Sequence, residues 1–136
     1  MSPPVDSCAL GTLVAERTFG PITRDDLRRY AEASGDLNPL HLDPEFARQA
    51  GFDDVIVHGM LGMALLGRLI TESFPQQRLL AFRARFRQVI QAGEAMHCRA
   101  CLQARDGDVV ILALEALNPA GTQLIEGTAT VKPVGD

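Results

Sequence analysis

An apolar segment in the middle of the chain places the strongest limit on how it can fold. From Gly59 to Phe74 the spacing is helical, yet apolar side chains point in nearly every direction. The longest uncharged apolar run, residues 55–67, is too short to span a bilayer. A helix over residues 59–74 would be roughly 25 Å long. Such a helix is normally buried, so the rest of the chain must cover it.

The second half of the chain predicts that cover. Residues 80–87 alternate between apolar side chains and arginines, the period of a strand with one solvated face. Turn signals at Asp106-Gly107 and at residues 118–121 separate the segments that follow. These segments predict three further strands, over residues 96–104, 108–117 and 122–132. The predicted fold class is α+β, a hot-dog arrangement in which an antiparallel sheet wraps around a central buried helix.

Short helices and a loop precede the apolar segment. Thr23 is predicted to cap a helix that ends at Gly35, and Asp43 is predicted to cap a second, shorter helix. Residues 36–42 form the loop between these helices, and residues 10–19 alternate weakly, as a strand does. A single small sheet leaves an edge or a face open, so a homodimer is expected.

Length and charge exclude several classes of partner. The 136 residues suit one domain, residues 1–136, in which residues 1–9 are predicted to be a loose tail. The net charge of −4 argues against nucleic acid, because phosphate binding needs a basic face. The first residues lack the basic end and apolar block of a secretory signal. We therefore expect a cytoplasmic protein without nucleic-acid or membrane partners.

The cysteines do not indicate a metal or redox site. Their odd number, without a secretory signal, is typical of reduced thiols. Cys98 and Cys101 spell C-x-x-C, but residues three apart on a strand point to opposite faces. No second Cys or His pair at zinc spacing accompanies them, so no metal is expected.

Residues that carry chemistry are concentrated in the loop. Asp36, Asn38 and His41 lie within six residues, and Pro39 stiffens the chain between them. An aspartate and a histidine that converge can share one water molecule, with one group removing its proton while the other delivers a proton to carbon. Taken alone, Asp36 is equally typical of a turn, and Asn38-Pro39 is a common start of a turn. A lone His41 is more often a hydrogen-bonded or solvated histidine than a catalyst. The cluster as a whole, rather than any single residue, suggests a catalytic site.

A second segment, His58-Gly59-Met60, stands where the apolar helix begins. A helix start presents free backbone N–H groups that suit an oxygen gaining negative charge, and Gly59 permits close approach to the backbone. Taken alone, this segment is more typical of a helix-cap or core histidine at His58 and of a packing glycine at Gly59.

Together these segments resemble a known family. The run from Gly35 to Asp43, then Ala47, Gly51-Phe52, and the run from Ile56 to Met60 are similar to the hydratase motif of the MaoC-like (R)-specific enoyl-CoA hydratases and dehydratases. The resemblance spans about residues 20–133.

The resemblance implies a hot-dog fold, a homodimer or a double-hot-dog architecture, no metal and no cofactor. It assigns to Asp36 and His41 the water that adds to a trans-2-enoyl thioester of coenzyme A or of an acyl carrier protein, giving an (R)-3-hydroxyacyl thioester. The N–H of Gly59 would bind the thioester carbonyl, with His58 beside it, and Asn38 would hold the loop or Asp36 in place. His41 is expected to be the base and Asp36 the acid, a division that the sequence alone leaves open.

One departure affects substrate choice. Some members carry a serine on the apolar helix where this chain has Gly67, and a small residue there is expected to enlarge the acyl tunnel. Two alternatives to a hydratase are a hot-dog acyl thioesterase and a non-catalytic subunit that binds thioesters. The paired Asp36 and His41 disfavour both.

Overall fold

The computed structural model describes residues 11–133, which form five strands and three α-helices around one hydrophobic core. The strands form one antiparallel sheet in the order β1-β3-β4-β5-β2. In chain order the elements are β1 (Leu13–Phe19), α1 (Arg24–Ser34), α2 (Pro44–Gln49), α3 (Gly59–Ser73), β2 (Leu79–Phe86), β3 (Met96–Asp106), β4 (Val109–Leu117) and β5 (Gln123–Val131). Short 3-10 turns lie at Pro39–His41 and Gln76–Arg78.

Helix α3 lies on the inner face of this sheet and contacts β1, β2, β3 and β4. Its residues Leu66, Leu69 and Ile70 are buried against inward-facing strand residues such as Leu112 and Ile125. The predicted arrangement, a sheet around a central helix, is therefore confirmed. None of the helices in this part of the chain is long and apolar enough to cross a membrane.

The prediction that α3 is buried on all sides is wrong for the single chain. Met60 is 57% exposed, and Ala64 one turn later is exposed too. The sheet covers only the stripe that includes Gly62, Leu66 and Ile70. The first turns of α3 therefore leave apolar side chains exposed at the surface of the described chain.

Strand β2 departs from the predicted phase at its start. A register shift between Leu79 and Ala81, where β2 pairs with β5, displaces the alternation by one residue. Leu80, which the alternation predicts to face inward, therefore points outward and is 57% exposed, and Leu79 packs against the core instead. Beyond the shift the prediction is confirmed for Phe82, which packs against the core, and for Arg83, which is exposed. At the end of the strand Phe86 departs from it, because this ring is 47% exposed.

The smaller elements follow their predicted signals. Thr23 caps α1 in a capping box with Asp26, Gly35 ends that helix at φ 80°, and Asp43 caps α2. Cys98 is buried while Cys101, on the opposite face of β3, is half-buried, so the two thiols face apart as expected. The predicted tail, residues 1–9, lies outside the described residues.

Candidate active site

The loop after α1 is shaped by its own polar side chains. The Oδ1 atom of Asn38 accepts a hydrogen bond from the N–H of Leu40 at 3.0 Å, which caps the 3-10 turn Pro39–His41. The Oδ1 atom of Asp36 in turn accepts from the N–H of Asn38 at 3.3 Å. The Asn38 side chain therefore holds the turn that carries His41.

A short extended segment before α3 fastens this turn to the body of the protein. The N–H of Ile56 donates to the carbonyl of Leu40 at 3.0 Å, and Ile56 also forms an isolated bridge with Gln91. The Nδ1 atom of His41 lies 2.7 Å from the carbonyl oxygen of Ile56. Because a carbonyl only accepts hydrogen bonds, Nδ1 must carry the proton. The Nε2 atom of a neutral His41 is then free to take up a proton.

His58 lies directly behind His41. The two rings stack with centroids 3.8 Å apart and an interplanar angle of 22°, and Tyr30 meets His58 edge-on at 4.8 Å. The Nε2 atom of His58 donates to the carbonyl oxygen of Asp36 at 3.2 Å. The ring is only 1% exposed, and its Nδ1 atom is buried and has no hydrogen-bond partner among residues 11–133. Burial is the main cause that lowers the pKa of His58, and nearby His41 lowers it further.

The three side chains form one compact group. The Asp36 carboxylate and the ring nitrogens of His41 and His58 each contribute an atom, and these atoms lie within 4.8 Å of one another. A water molecule hydrogen-bonded to Asp36 and His41 at about 2.8 Å from each fits that separation. A metal ion fits less well. The rings of His41 and His58 are stacked nearly parallel, so their nitrogen lone pairs do not converge on one point. In addition, Nε2 of His58 already bonds the Asp36 carbonyl.

A cavity of about 420 Å³ opens beside this group. His41 and Gly59 line it together with Phe86 and the segment that follows β2, residues 87–90. Gly59 is the first residue of α3. The side chain of the preceding residue, His58, does not cap the helix, and it therefore makes no hydrogen bond to the N–H groups of the helix start. The Phe86 ring lies over Gly59, since a Cβ there would be 3.4 Å from two of its atoms.

A larger cavity lies elsewhere. It measures about 640 Å³ and occupies the outer face of the sheet between residues such as Arg85, Cys101 and Glu115. It contains none of the predicted site residues, whereas the smaller cavity contains His41 and Gly59. The volume of a cavity alone therefore does not identify the candidate active site.

The structure brings together most of the predicted site residues but changes the position of one. Asp36 and His41 converge, and His41 shares a cavity with Gly59. His58 was expected beside the bound carbonyl, yet its side chain is buried behind His41 and does not line the cavity. The stacking on His41 and the bond to the Asp36 carbonyl draw it inward. A direct contact of His58 with substrate is therefore not supported.

The expectation of a wider tunnel at Gly67 is also not supported. A Cβ at this position would be 3.0 Å from Cε2 of Phe82, so a phenyl ring already fills the space beside the glycine. Sequence reasoning missed Phe82, together with Tyr30 and the carbonyl of Ile56. Phe82 and Tyr30 carried only the signal of inward-facing strand and helix residues, and a backbone carbonyl carries no signal in the sequence.

Comparisons with known proteins agree with this geometry. A family model described as "MaoC like domain" matches residues 8–113. The (R)-specific enoyl-CoA hydratase of Aeromonas caviae is 30% identical over 111 residues, covering 79% of this chain and 83% of that enzyme. The solved structure of R-hydratase PhaJ1 from Pseudomonas aeruginosa is 30% identical, with a TM-score of 0.85 over 95% of this chain and 84% of that one.

A plant relative is more similar over a shorter region. The mitochondrial 3-hydroxyacyl-[acyl-carrier-protein] dehydratase of Arabidopsis thaliana is 43% identical over 70 residues, which are 52% of this chain. That region spans 42% of the plant enzyme, so much of the longer protein has no counterpart in the match.

Proposed function

Because the chain belongs to the MaoC-like domain family, we propose that it interconverts a trans-2-enoyl thioester and an (R)-3-hydroxyacyl thioester. The observation that carries this proposal is the proximity of the Asp36 carboxyl group to a ring nitrogen of His41, together with the bond of His41 Nδ1 to the Ile56 carbonyl, which leaves Nε2 of the neutral ring without a proton. The names of the relatives describe the two directions, a hydratase in Aeromonas caviae and a dehydratase in Arabidopsis thaliana.

His41 acts as the base toward water in the hydration direction. Its Nε2 atom takes a proton from the water, and the remaining hydroxide forms a bond to C3 of the enoyl group. The electron pair of the C2–C3 double bond moves toward C2 and the thioester carbonyl. Nδ1–H stays bonded to the Ile56 carbonyl, which stabilises the imidazolium that forms.

Asp36 acts as the acid that completes the addition. Its carboxylic acid delivers a proton to C2, and the proton held by His41 returns to the Asp36 carboxylate through the solvent. Atoms and charge then balance, since one water is consumed and both residues regain their starting forms. Dehydration follows the same steps in reverse, with Asp36 as the base and His41 as the acid.

Gly59 binds the thioester carbonyl oxygen in this proposal. The start of α3 supplies a backbone N–H and the positive end of the helix dipole, both of which favour the enolate that develops on that oxygen. The position of Gly59 in the same cavity as His41 supports this role. Asn38 acts indirectly, by holding the turn that presents His41.

Absorbance at the enoyl-thioester band tests the proposal with crotonyl-CoA and longer trans-2-enoyl-CoAs. The Asp36→Asn variant is expected to lose roughly 10²–10⁴ in kcat, the typical contribution of one general acid or base. Asp53→Asn is the matched control, because this aspartate is exposed and lies outside the group of Asp36, His41 and His58. Its kcat should equal that of the wild type.

The same samples distinguish the alternatives. Release of free thiol without hydration would identify a thioesterase and contradict the proposal. Unchanged activity of Asp36→Asn within a complex would instead make this chain a supporting subunit. Parallel assays with enoyl-CoA and enoyl-acyl carrier protein substrates identify the carrier.

We also propose that the chain forms a homodimer. Strand β2 lies at an edge of the sheet, so within the described residues one side of its backbone pairs with no other strand. Large apolar residues on β2 and at the start of α3 are about half exposed. These are Met60, Leu80 and Phe86. Light scattering should give twice the chain mass, and Leu80→Lys should shift the mass toward the monomer. A monomeric wild type would contradict this proposal.

A cytoplasmic location is proposed on the chemistry of the cysteines. Cys98 and Cys101 are free thiols, which suit a reducing compartment. The plant relative is named as mitochondrial, so fractionation of cells that produce the protein is the deciding measurement. Recovery in an organelle fraction would refute the cytoplasmic location.

A further inference from the structure

We propose that His58 is a positioning residue that holds both members of the Asp36–His41 pair in one geometry while touching no substrate. This inference rests on the proposed function. It starts from the position of the ring, which is buried behind His41 and absent from the lining of the cavity.

One contact of His58 reaches each member of the pair. Its Nε2–H donates to the Asp36 carbonyl at 3.2 Å, which fixes the backbone that carries the carboxylate. Its ring face supports the ring of His41 at 3.8 Å, so that Nε2 of His41 keeps its direction. A single rigid ring, itself held edge-on by Tyr30, therefore sets the distance between acid and base.

The fold itself does not explain why this residue is a histidine. His58 occupies the N-cap of α3 without providing a side-chain cap. Its Nδ1 atom is buried and makes no hydrogen bond in the described part of the chain, a situation that lowers stability. A phenylalanine would keep the stacking on His41 and remove the unpartnered nitrogen. The nitrogen atoms are therefore better explained by the bond to Asp36 than by stability.

Neutrality of the ring is part of this role. The titratable groups in contact with His58 are Tyr30 from α1, His41 from the 3-10 turn, and Asp36 through its backbone. Burial disfavours the charged form of His58 and lowers its pKa. When His41 takes a proton from water, it therefore rests on a neutral ring rather than beside a second positive charge.

The His58→Phe variant separates positioning from folding. It should lose roughly 10- to 100-fold in kcat, because small misplacements of catalytic groups have effects of this size, while KM stays within about threefold. Its thermal unfolding midpoint should stay close to that of the wild type, because the loss of the Nε2–H bond to Asp36 offsets the removal of the unpartnered Nδ1. Hydrogen exchange of the amides in residues 36–42 should become faster. The matched control is His97→Phe, at a partly exposed histidine on β3 that bonds Thr18 and Glu16.

A second variant guards against misfolding of the first. His58→Gln retains an N–H for the Asp36 carbonyl but offers no ring to His41, and it should also lose kcat with little change in KM. If either variant folds and keeps kcat within about twofold of the wild type with unchanged loop exchange, the proposal is wrong. Failure of both variants to fold would also overturn it, because it would make the residue structural.

The exchange measurement keeps this inference separate from the proposed function. A wild type that hydrates no enoyl thioester would refute the proposed function. The exchange of residues 36–42 in His58→Phe would still decide whether His58 positions the loop. Normal exchange there would refute the positioning role even in an inactive protein.

Discussion

Replacement of Gly59 by alanine is expected to remove activity while leaving the fold intact. The added methyl would project from the first residue of α3 toward the Phe86 ring, at 3.4 Å from its two nearest atoms. This is ordinary van der Waals contact, and Phe86 is 47% exposed and free to adjust. Since alanine favours a helix over glycine by up to about 1 kcal/mol, the free energy of unfolding should change by less than about 1 kcal/mol.

The catalytic effect should be several times larger. Both Gly59 and Phe86 line the cavity beside His41, so the methyl would stand where the thioester carbonyl must approach the backbone N–H. Loss of one hydrogen-bond donor to a developing oxyanion costs about 10²–10³ in kcat, or about 2.7–4 kcal/mol. Gly59→Ala should therefore lose activity with crotonyl-CoA by about that factor.

A matched substitution on the same helix tests the reasoning. Gly67→Ala places its methyl 3.0 Å from the Phe82 ring, two helical turns beyond the helix start, and should keep crotonyl-CoA activity within about twofold. Both variants are compared by urea denaturation and by initial rates. If Gly59→Ala is folded and retains more than about half of the wild-type kcat/KM, the N–H of Gly59 does not bind the carbonyl.

Three further outcomes are expected. The family resemblance places the acyl tunnel at Gly67, and Phe82→Ala removes the ring that lies beside this glycine. This variant should therefore raise kcat/KM for long enoyl chains relative to crotonyl-CoA, and an unchanged chain-length profile would contradict that placement. Its stability cost should stay below the about 3–5 kcal/mol of a fully buried phenylalanine, because Phe82 is only partly buried. Burial lowers the pKa of His58, so below about pH 6.5 the unfolded chain binds a proton that the folded one does not. Stability in urea should therefore fall as the pH drops below that value, and less steeply in His58→Phe. Burial raises the pKa of the Cys98 thiol to about 12, so mass spectrometry after treatment with a thiol reagent near pH 8 should find Cys101 labelled first and Cys98 only after denaturation.

The sequence predicts the elements of this fold well because local patterns determine them. The helical period of residues 59–74 and the turn at Asp106-Gly107 required no information from distant residues. The phase of β2 was predicted less well, since its shift arises where Leu79 and Ala81 pair with β5. A register shift of this kind depends on the partner strand and is not visible in the alternation itself.

The candidate site shows the same division. The residue types of Asp36 and His41 suggested a shared water, and the loop is short enough to bring them together. The position of His58 depends on its bond to the Asp36 carbonyl, 22 residues earlier in the chain. The position of Phe82 depends on the packing of β2 against Gly67 of α3. Such long-range packing follows from the assembled core, and no spacing rule in the sequence expresses it.

The hydrogen bond between His41 and Ile56 has a consequence for mutation. The acceptor is a main-chain carbonyl, which every amino acid supplies, so a substitution at Ile56 changes the side chain and keeps the oxygen. Where an aspartate side chain fixes a catalytic histidine instead, one substitution selects the wrong tautomer and lowers kcat by about 10⁴. In this chain only a change in the path of the backbone would have that effect. Substitutions of the Ile56 side chain should therefore leave the tautomer of His41 unchanged.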